Sequence, residues 1–131
     1  MNLCCDVIRR LQGKTLVTAE SLTGGGIGAA LTSVSGSSSV YKGGVISYTN
    51  AVKNQILGVA ADILDQYGAV SEPVAKAMAQ GVRKLLEADV AVAPQKCSHR
   101  RCDGLRRELR PRDLIEQHPE AVVARPVQHQ H

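Results

Sequence analysis

Val17-Thr18-Ala19-Glu20-Ser21-Leu22-Thr23-Gly24-Gly25-Gly26 decides how this chain is read. Leu16 and Val17 lead into the stretch, and Ile27, Ala30, Leu31 and Val34 follow it at helical spacing. That order predicts a strand over Leu16 to Ala19, a tight turn, and a helix over Gly24 to Val34, with Thr23 as its cap. Two hydroxyls, one carboxylate and three glycines in the turn let backbone come close to a bound group. The helix start offers unpaired N–H groups and a positive dipole end, suited to an oxyanion or a phosphate. Ser21 stands where a nucleophile is best served. Taken alone, the same residues also describe a capped, glycine-rich turn without chemistry.

Working outward, Val7, Ile8 and Leu11 predict a helix that Gly13 stops. Downstream, Ser35 to Ser39 read as a polar turn. Val40 to Tyr48 read as a strand in which Gly43-Gly44 marks a bulge or a close backbone approach. Asn50 is the expected cap of a short helix carrying Val52, Ile56 and Leu57 and ended by Gly58. Asp62 to Tyr67 predicts another short helix, stopped by Gly68. Ser71, Glu72 and Pro73 open the longest helix, whose apolar face is Val74, Met78, Val82, Leu85 and Leu86. Asp89 to Ala93 is a short apolar strand of the kind buried on both faces. Helices alternating with short apolar strands predict a layered α/β fold.

The chain has 131 residues, enough for one domain. Without Phe or Trp, and with three Tyr, its core must be built from Val, Ile, Leu and Ala. Such a core predicts modest monomer stability and an oligomer that adds to it. The net charge of +4 is uneven: through Ala93 eight Lys/Arg face seven Asp/Glu, whereas Pro94 to His131 hold eight against five and all four His. The basic balance therefore belongs to the tail and says little about what the folded part binds. Cys4, Cys5, Cys97 and Cys102 do not form a secreted disulfide framework, and no signal peptide is expected before them. No apolar run approaches the roughly 20 residues of a transmembrane helix. The expectation is a reduced, cytoplasmic protein that does not engage a membrane.

Lys53 is the second residue to weigh. In the first turn of a helix the dipole disfavours its charge, and burial would lower its pKa further; a neutral amine can take a proton from a serine. A solvated surface lysine is the ordinary alternative. Tyr48, with Thr49 and Asn50, could orient that lysine or offer donors to a ligand. Ser37 and Ser38 could hydrogen-bond a phosphate, though loop serines commonly have no such duty. Glu20 neighbours Ser21 but alternation points it the other way, giving it an ordering role. Cys97, His99, Cys102 and His118 match no paired metal-ligand spacing, so no metal is expected. Arg100-Arg101 and Arg106-Arg107 lack interleaved aromatics for stacking, so nucleic acid is not an expected partner.

Five blocks then stand in one order: Thr18 to Gly25; Ser35-Gly36-Ser37-Ser38; Gly44 to Asn50 with Lys53; Leu57-Gly58-Val59; and Tyr67 to Ala75. That order resembles the C-terminal domain of the competence/damage-inducible protein CinA, also found alone as the nicotinamide-nucleotide amidase PncC. The resemblance covers about residues 3–93. It implies a layered α/β/α fold and hydrolysis of the carboxamide of nicotinamide mononucleotide to nicotinate mononucleotide and ammonia, within pyridine nucleotide salvage. It further implies a serine–lysine mechanism without metal or organic cofactor. Carried over by motif, Ser21 is the nucleophile, Lys53 its base and Tyr48 a helper in proton relay with Ser38. Glu20, Thr23, Gly24, Gly25, Ser37, Ser38 and Asn50 are the substrate-binding set.

After Ala93 the chain departs from that family. A threonine or serine, Gly-Ile-Ala-Gly-Pro and a glycine-rich loop are replaced here by Pro94-Gln95-Lys96-Cys97. The expectation is a core over residues 1–93, incomplete at its C-terminal end, and a divergent, basic, poorly ordered tail over 94–131. The strand ending at Ala93 has no convincing downstream partner. A catalytically dead remnant that binds phosphate or pairs with complete subunits is the alternative to an amidohydrolase.

Overall fold

A computed structural model describes residues 3–94 and 122–124. The order is α1 (Leu3–Arg10), β1 (Leu16–Glu20), α2 (Gly26–Thr32), a single 3-10 turn at Ser37–Ser39, β2 (Tyr41–Ile46), α3 (Asn50–Gln55), α4 (Ala61–Tyr67), α5 (Glu72–Leu85), β3 (Val90–Ala93) and β4 (Val122–Ala124). The sheet runs β2-β1-β3-β4. The first three strands are parallel and β4 is antiparallel to β3.

Alternation along β1 sorts the two faces. Val17 and Ala19 join Leu57, Val59, Leu64 and the α5 residues Val74, Met78 and Val82 in one core. Leu16 joins Cys4, Ile8, Ile27, Leu31 and Val40 in the other. Burying each large aliphatic side chain contributes about 1.5–3 kcal/mol. The result is the expected layered α/β/α arrangement, with β1 central and buried at every residue.

Several details differ from the sequence reading. α2 begins at Gly26, and its cap is Gly25, not Thr23. α3 is capped by Thr49, whose side chain accepts from the Val52 N–H, so Asn50 is the first helical residue. Leu85 is exposed at the last residue of α5, whereas Leu86 just beyond it packs against the core. Ser71 sits at the cap of α5, but its hydroxyl donates backwards to the Gly68 carbonyl at 2.9 Å. The Gly43-Gly44 expectation holds: the β1–β2 register slips between Leu16 and Val17, leaving Lys42 as the extra residue. Gly44 also packs so tightly on Thr18 that a Cβ would overlap its hydroxyl.

The strand at Ala93 does have a downstream partner. Ala91, Val92 and Ala93 pair with Ala124, Val123 and Val122. The remaining tail residues, 95–121 and 125–131, lie outside the described residues, and so do Cys97, His99, Cys102, His118 and the arginine pairs. Among the described residues no helix is long and apolar enough to cross a membrane.

Candidate active site

Parallel strands bring their carboxyl ends to one edge of the sheet, and this edge gathers the chemistry. β1 ends at Glu20 and hands on to Ser21; β2 ends at Ile46 and hands on to Ser47 and Tyr48. The Ser47 N–H and hydroxyl both donate to the Glu20 carbonyl, at 2.6 and 3.2 Å, so the two strand exits are stitched together. Ser21 is half-buried at this edge.

α3 then delivers Lys53. Its position is fixed from both directions. Lys53 N–H donates to the Thr49 carbonyl and its own carbonyl accepts from Val59 N–H at 3.0 Å. The Asn54 amide donates to the Val59 carbonyl at 2.8 Å, and Leu57 and Val59 sink into the core against α5. Gly81 of α5 admits the Leu57 carbonyl so closely that a Cβ there would overlap it.

The lysine side chain is 1% exposed, the largest side chain buried to that degree among the described residues. Its Nζ lies 3.0 Å from Ser21 Oγ, 2.8 Å from the Ser47 carbonyl oxygen and 3.2 Å from the Tyr48 carbonyl oxygen. Among the described residues no carboxylate forms an ion pair with it. Burial without a counter-ion penalises the ammonium, and the pKa of Lys53 falls below the ordinary lysine value. A neutral amine has two N–H donors and one lone pair. In the neutral form, with both donors on the two carbonyls, the lone pair faces the Ser21 hydroxyl. The arrangement sets a serine hydroxyl against a buried amine held by two carbonyls.

The carboxylate of the buried acid next door bonds to other partners. Glu20 is 2% exposed and faces α2, as alternation predicts. Its carboxylate accepts from Ile27 N–H at 2.7 Å, Gly28 N–H at 3.0 Å and the Thr23 hydroxyl at 2.8 Å. The start of α2, expected to receive an oxyanion or phosphate, is therefore filled by the protein's own carboxylate. Glu20 and Thr23, placed in the substrate-binding set from the sequence, bond to each other, and Glu20 also to α2. Gly24 and Gly25 hold left-handed φ of 59° and 98°, and two successive turns are closed where Gly24 N–H donates to the Ser21 carbonyl and Gly26 N–H to the Thr23 carbonyl.

Other sequence candidates are not brought together. Ser37 and Ser38 precede β2, and the Val40 carbonyl accepts from Leu16 N–H at the start of β1. They therefore stand at the opposite edge of the sheet from Ser21, about 15 Å away for a five-residue strand. Within one chain they do not touch the serine–lysine pair. Tyr48 is 72% exposed and meets Lys53 through its backbone carbonyl, not its phenol. Asn50 is exposed at the first turn of α3. Ser47 was missed, because a residue that acts through its carbonyl leaves no side-chain signature. Its place directly after the strand, six residues before the lysine, was the available hint.

Comparison with known proteins fits this geometry. The chain is 62% identical over 93 residues to a CinA-like protein of Synechococcus sp. (strain CC9902), covering 70% of this chain and 22% of that protein. It is 59% identical over 94 residues to a CinA-like protein of Parasynechococcus marenigrum (strain WH8102), with the same coverage. The chain thus spans about a fifth of the length of the curated relatives it matches. Among solved structures, it resembles the competence damage-inducible protein A of Klebsiella pneumoniae subsp. pneumoniae MGH 78578 at TM-score 0.67 and 38% identity, covering 70% of this chain and 58% of that one. A competence/damage inducible protein of Agrobacterium tumefaciens gives TM-score 0.67 and 39% identity, covering 75% and 64%. Residues 3–95 match the family model of the CinA C-terminal domain, and the chain belongs to that family.

Proposed function

We propose that the chain hydrolyses the carboxamide of nicotinamide mononucleotide, giving nicotinate mononucleotide and ammonia. The observation that carries this reading is the buried Lys53 amine 3.0 Å from Ser21 Oγ. Family membership and the family's resemblance to nicotinamide-nucleotide amidases supply the substrate. In the first half-reaction Ser21 Oγ bonds to the amide carbon while its proton passes to Lys53 Nζ. The tetrahedral adduct collapses as Lys53 returns that proton to the leaving nitrogen, and ammonia departs from a serine ester. Water then attacks the ester carbon, giving its proton to Lys53. Collapse restores the serine hydroxyl with that same proton and releases the carboxylic acid, whose remaining proton passes to solvent to leave the carboxylate. No external oxidant, reductant or cofactor is needed for this balance.

The reading includes a cytoplasmic setting in pyridine nucleotide salvage and a homo-oligomer, in which the open edge of β2 and the Ser37–Ser38 turn meet another copy. It also keeps residues 1–93 as the amidohydrolase core and 94–131 as a divergent segment. Because Glu20 fills the start of α2, the substrate phosphate is bound elsewhere on the carboxyl edge of the sheet or by another copy.

The test is ammonia release from nicotinamide mononucleotide. The account predicts release by the unaltered chain and a loss of about a thousandfold or more in Ser21→Ala, with the fold retained. Absence of release by a folded, unaltered chain that still binds the nucleotide would leave the remnant reading in its place.

A further inference from the structure

Glu20 is bonded in two directions at once. Its side chain holds the turn that carries the nucleophile, by accepting from Thr23 Oγ1, Ile27 N–H and Gly28 N–H at 2.7–3.0 Å. Its main-chain carbonyl holds Ser47, through the N–H at 2.6 Å and the hydroxyl at 3.2 Å. Ser47 in turn supplies the carbonyl that takes Lys53 Nζ at 2.8 Å. One residue therefore joins the Ser21 turn to the clamp on the base. A second layer supports it: the Thr18 hydroxyl donates to Glu20 Oε2 at 3.3 Å and meets the Tyr41 hydroxyl at 2.7 Å. Gly28 lacks the Cβ that would crowd both Glu20 Oε2 and the Tyr41 hydroxyl.

We propose that Glu20 is a positioning residue that sets the Ser21 Oγ–Lys53 Nζ separation, acting as a built-in anion at the start of α2 and not as a substrate ligand. The carboxylate suits this duty because it offers acceptors only, and its three near partners are all donors. Glutamine keeps the shape but turns one oxygen into an NH2 donor aimed at existing donors. The turn must then shift, and Ser21 shifts with it. Aspartate is shorter by one methylene and does not reach both N–H groups of α2. The inference rests on the serine–lysine reading for its catalytic consequence, but the distance it concerns exists without turnover.

The experiment uses Glu20→Gln and Thr23→Val in the full chain, each with two readouts. Steady-state kinetics on nicotinamide mononucleotide are expected to show kcat reduced tenfold or more in Glu20→Gln, with KM changed less than threefold. Thr23→Val, which removes one donor and keeps the packing, is expected to give a smaller loss of kcat of the same kind, and it carries the test where Glu20→Gln does not fold. The second readout is a crystal structure of the variant. A Ser21–Lys53 separation that passes beyond hydrogen-bond reach, about 3.5 Å, supports the bridge. A pair still in contact with kcat within twofold of the unaltered chain, or a raised KM with kcat intact, overturns it. An unaltered chain that releases no ammonia while the variant still loses the contact overturns the serine–lysine reading and leaves the bridge standing.

Discussion

At the amino end of β1, the Thr15 N–H and hydroxyl both donate to the Asp89 carboxylate, at 2.9 and 3.2 Å, and Asp89 N–H returns a bond to the Thr15 hydroxyl at 3.0 Å. At the carboxyl end, the Ser21 hydroxyl meets the Lys53 amine, which two carbonyls also hold. Each end pairs a hydroxyl with an ionisable group at a strand terminus. Asp89 is exposed and water shares its charge, so this end is a tie between two parallel strands. Lys53 is 1% exposed, and its desolvated ammonium is disfavoured. Burial, more than residue type, separates the exposed fastening from the desolvated pair.

That contrast can be broken first at the lysine. Lys53→Met keeps much of the volume and is expected to lower ammonia release by about 10²–10⁴-fold, the range of a lost general base. It also changes how stability follows pH. The folded state holds the Lys53 proton less tightly than the unfolded chain does, so between the two pKa values the unfolded state binds more protons. Stability then rises with pH across the window that ends near the ordinary lysine value, roughly 10.4. Denaturant melts over that window are expected to show the rise in the unaltered chain and its absence in Lys53→Met.

A smaller effect is expected from the packing that seats α3. Gly81→Ala forces a methyl into the Leu57 carbonyl, which is backbone and cannot swing aside. Destabilisation of about 1–3 kcal/mol is expected from urea melts, with activity falling as Lys53 is displaced. The smallest effect belongs to the other end of the strand. Thr15→Val removes a hydroxyl that both donates and accepts in an exposed site, and about 1 kcal/mol is expected, with kcat unchanged. A Thr15 variant that lost turnover as severely as Lys53→Met would erase the distinction between the two ends.

The elements that carry Ser21 and Lys53 were legible from their punctuation, a strand running into a glycine-rich turn and a short helix behind a capping residue; the roles of the two residues came from the resemblance carried by the five ordered blocks. The orientation of Glu20 followed from alternation. Its duty did not, because a carboxylate filling the start of its own next helix looks, in one dimension, like a free ligand group. Ser47 and the Tyr48 carbonyl were hidden because backbone acceptors carry no residue signature. The place of Ser37 and Ser38 at the other end of the strands was not legible, because motif order ignores which edge of a parallel sheet a loop reaches. β4 was missed because three apolar residues, Val122 to Ala124, show no period of their own, and only pairing with β3 defines them.

The most direct test follows the Lys53 side chain through a pH titration by NMR, reading the carbon beside Nζ in the folded protein. The account predicts a midpoint below that of an ordinary lysine, about 10.4, and a shift in that midpoint when Ser21 is replaced by alanine. A midpoint at or above the ordinary value, indifferent to Ser21, would contradict it.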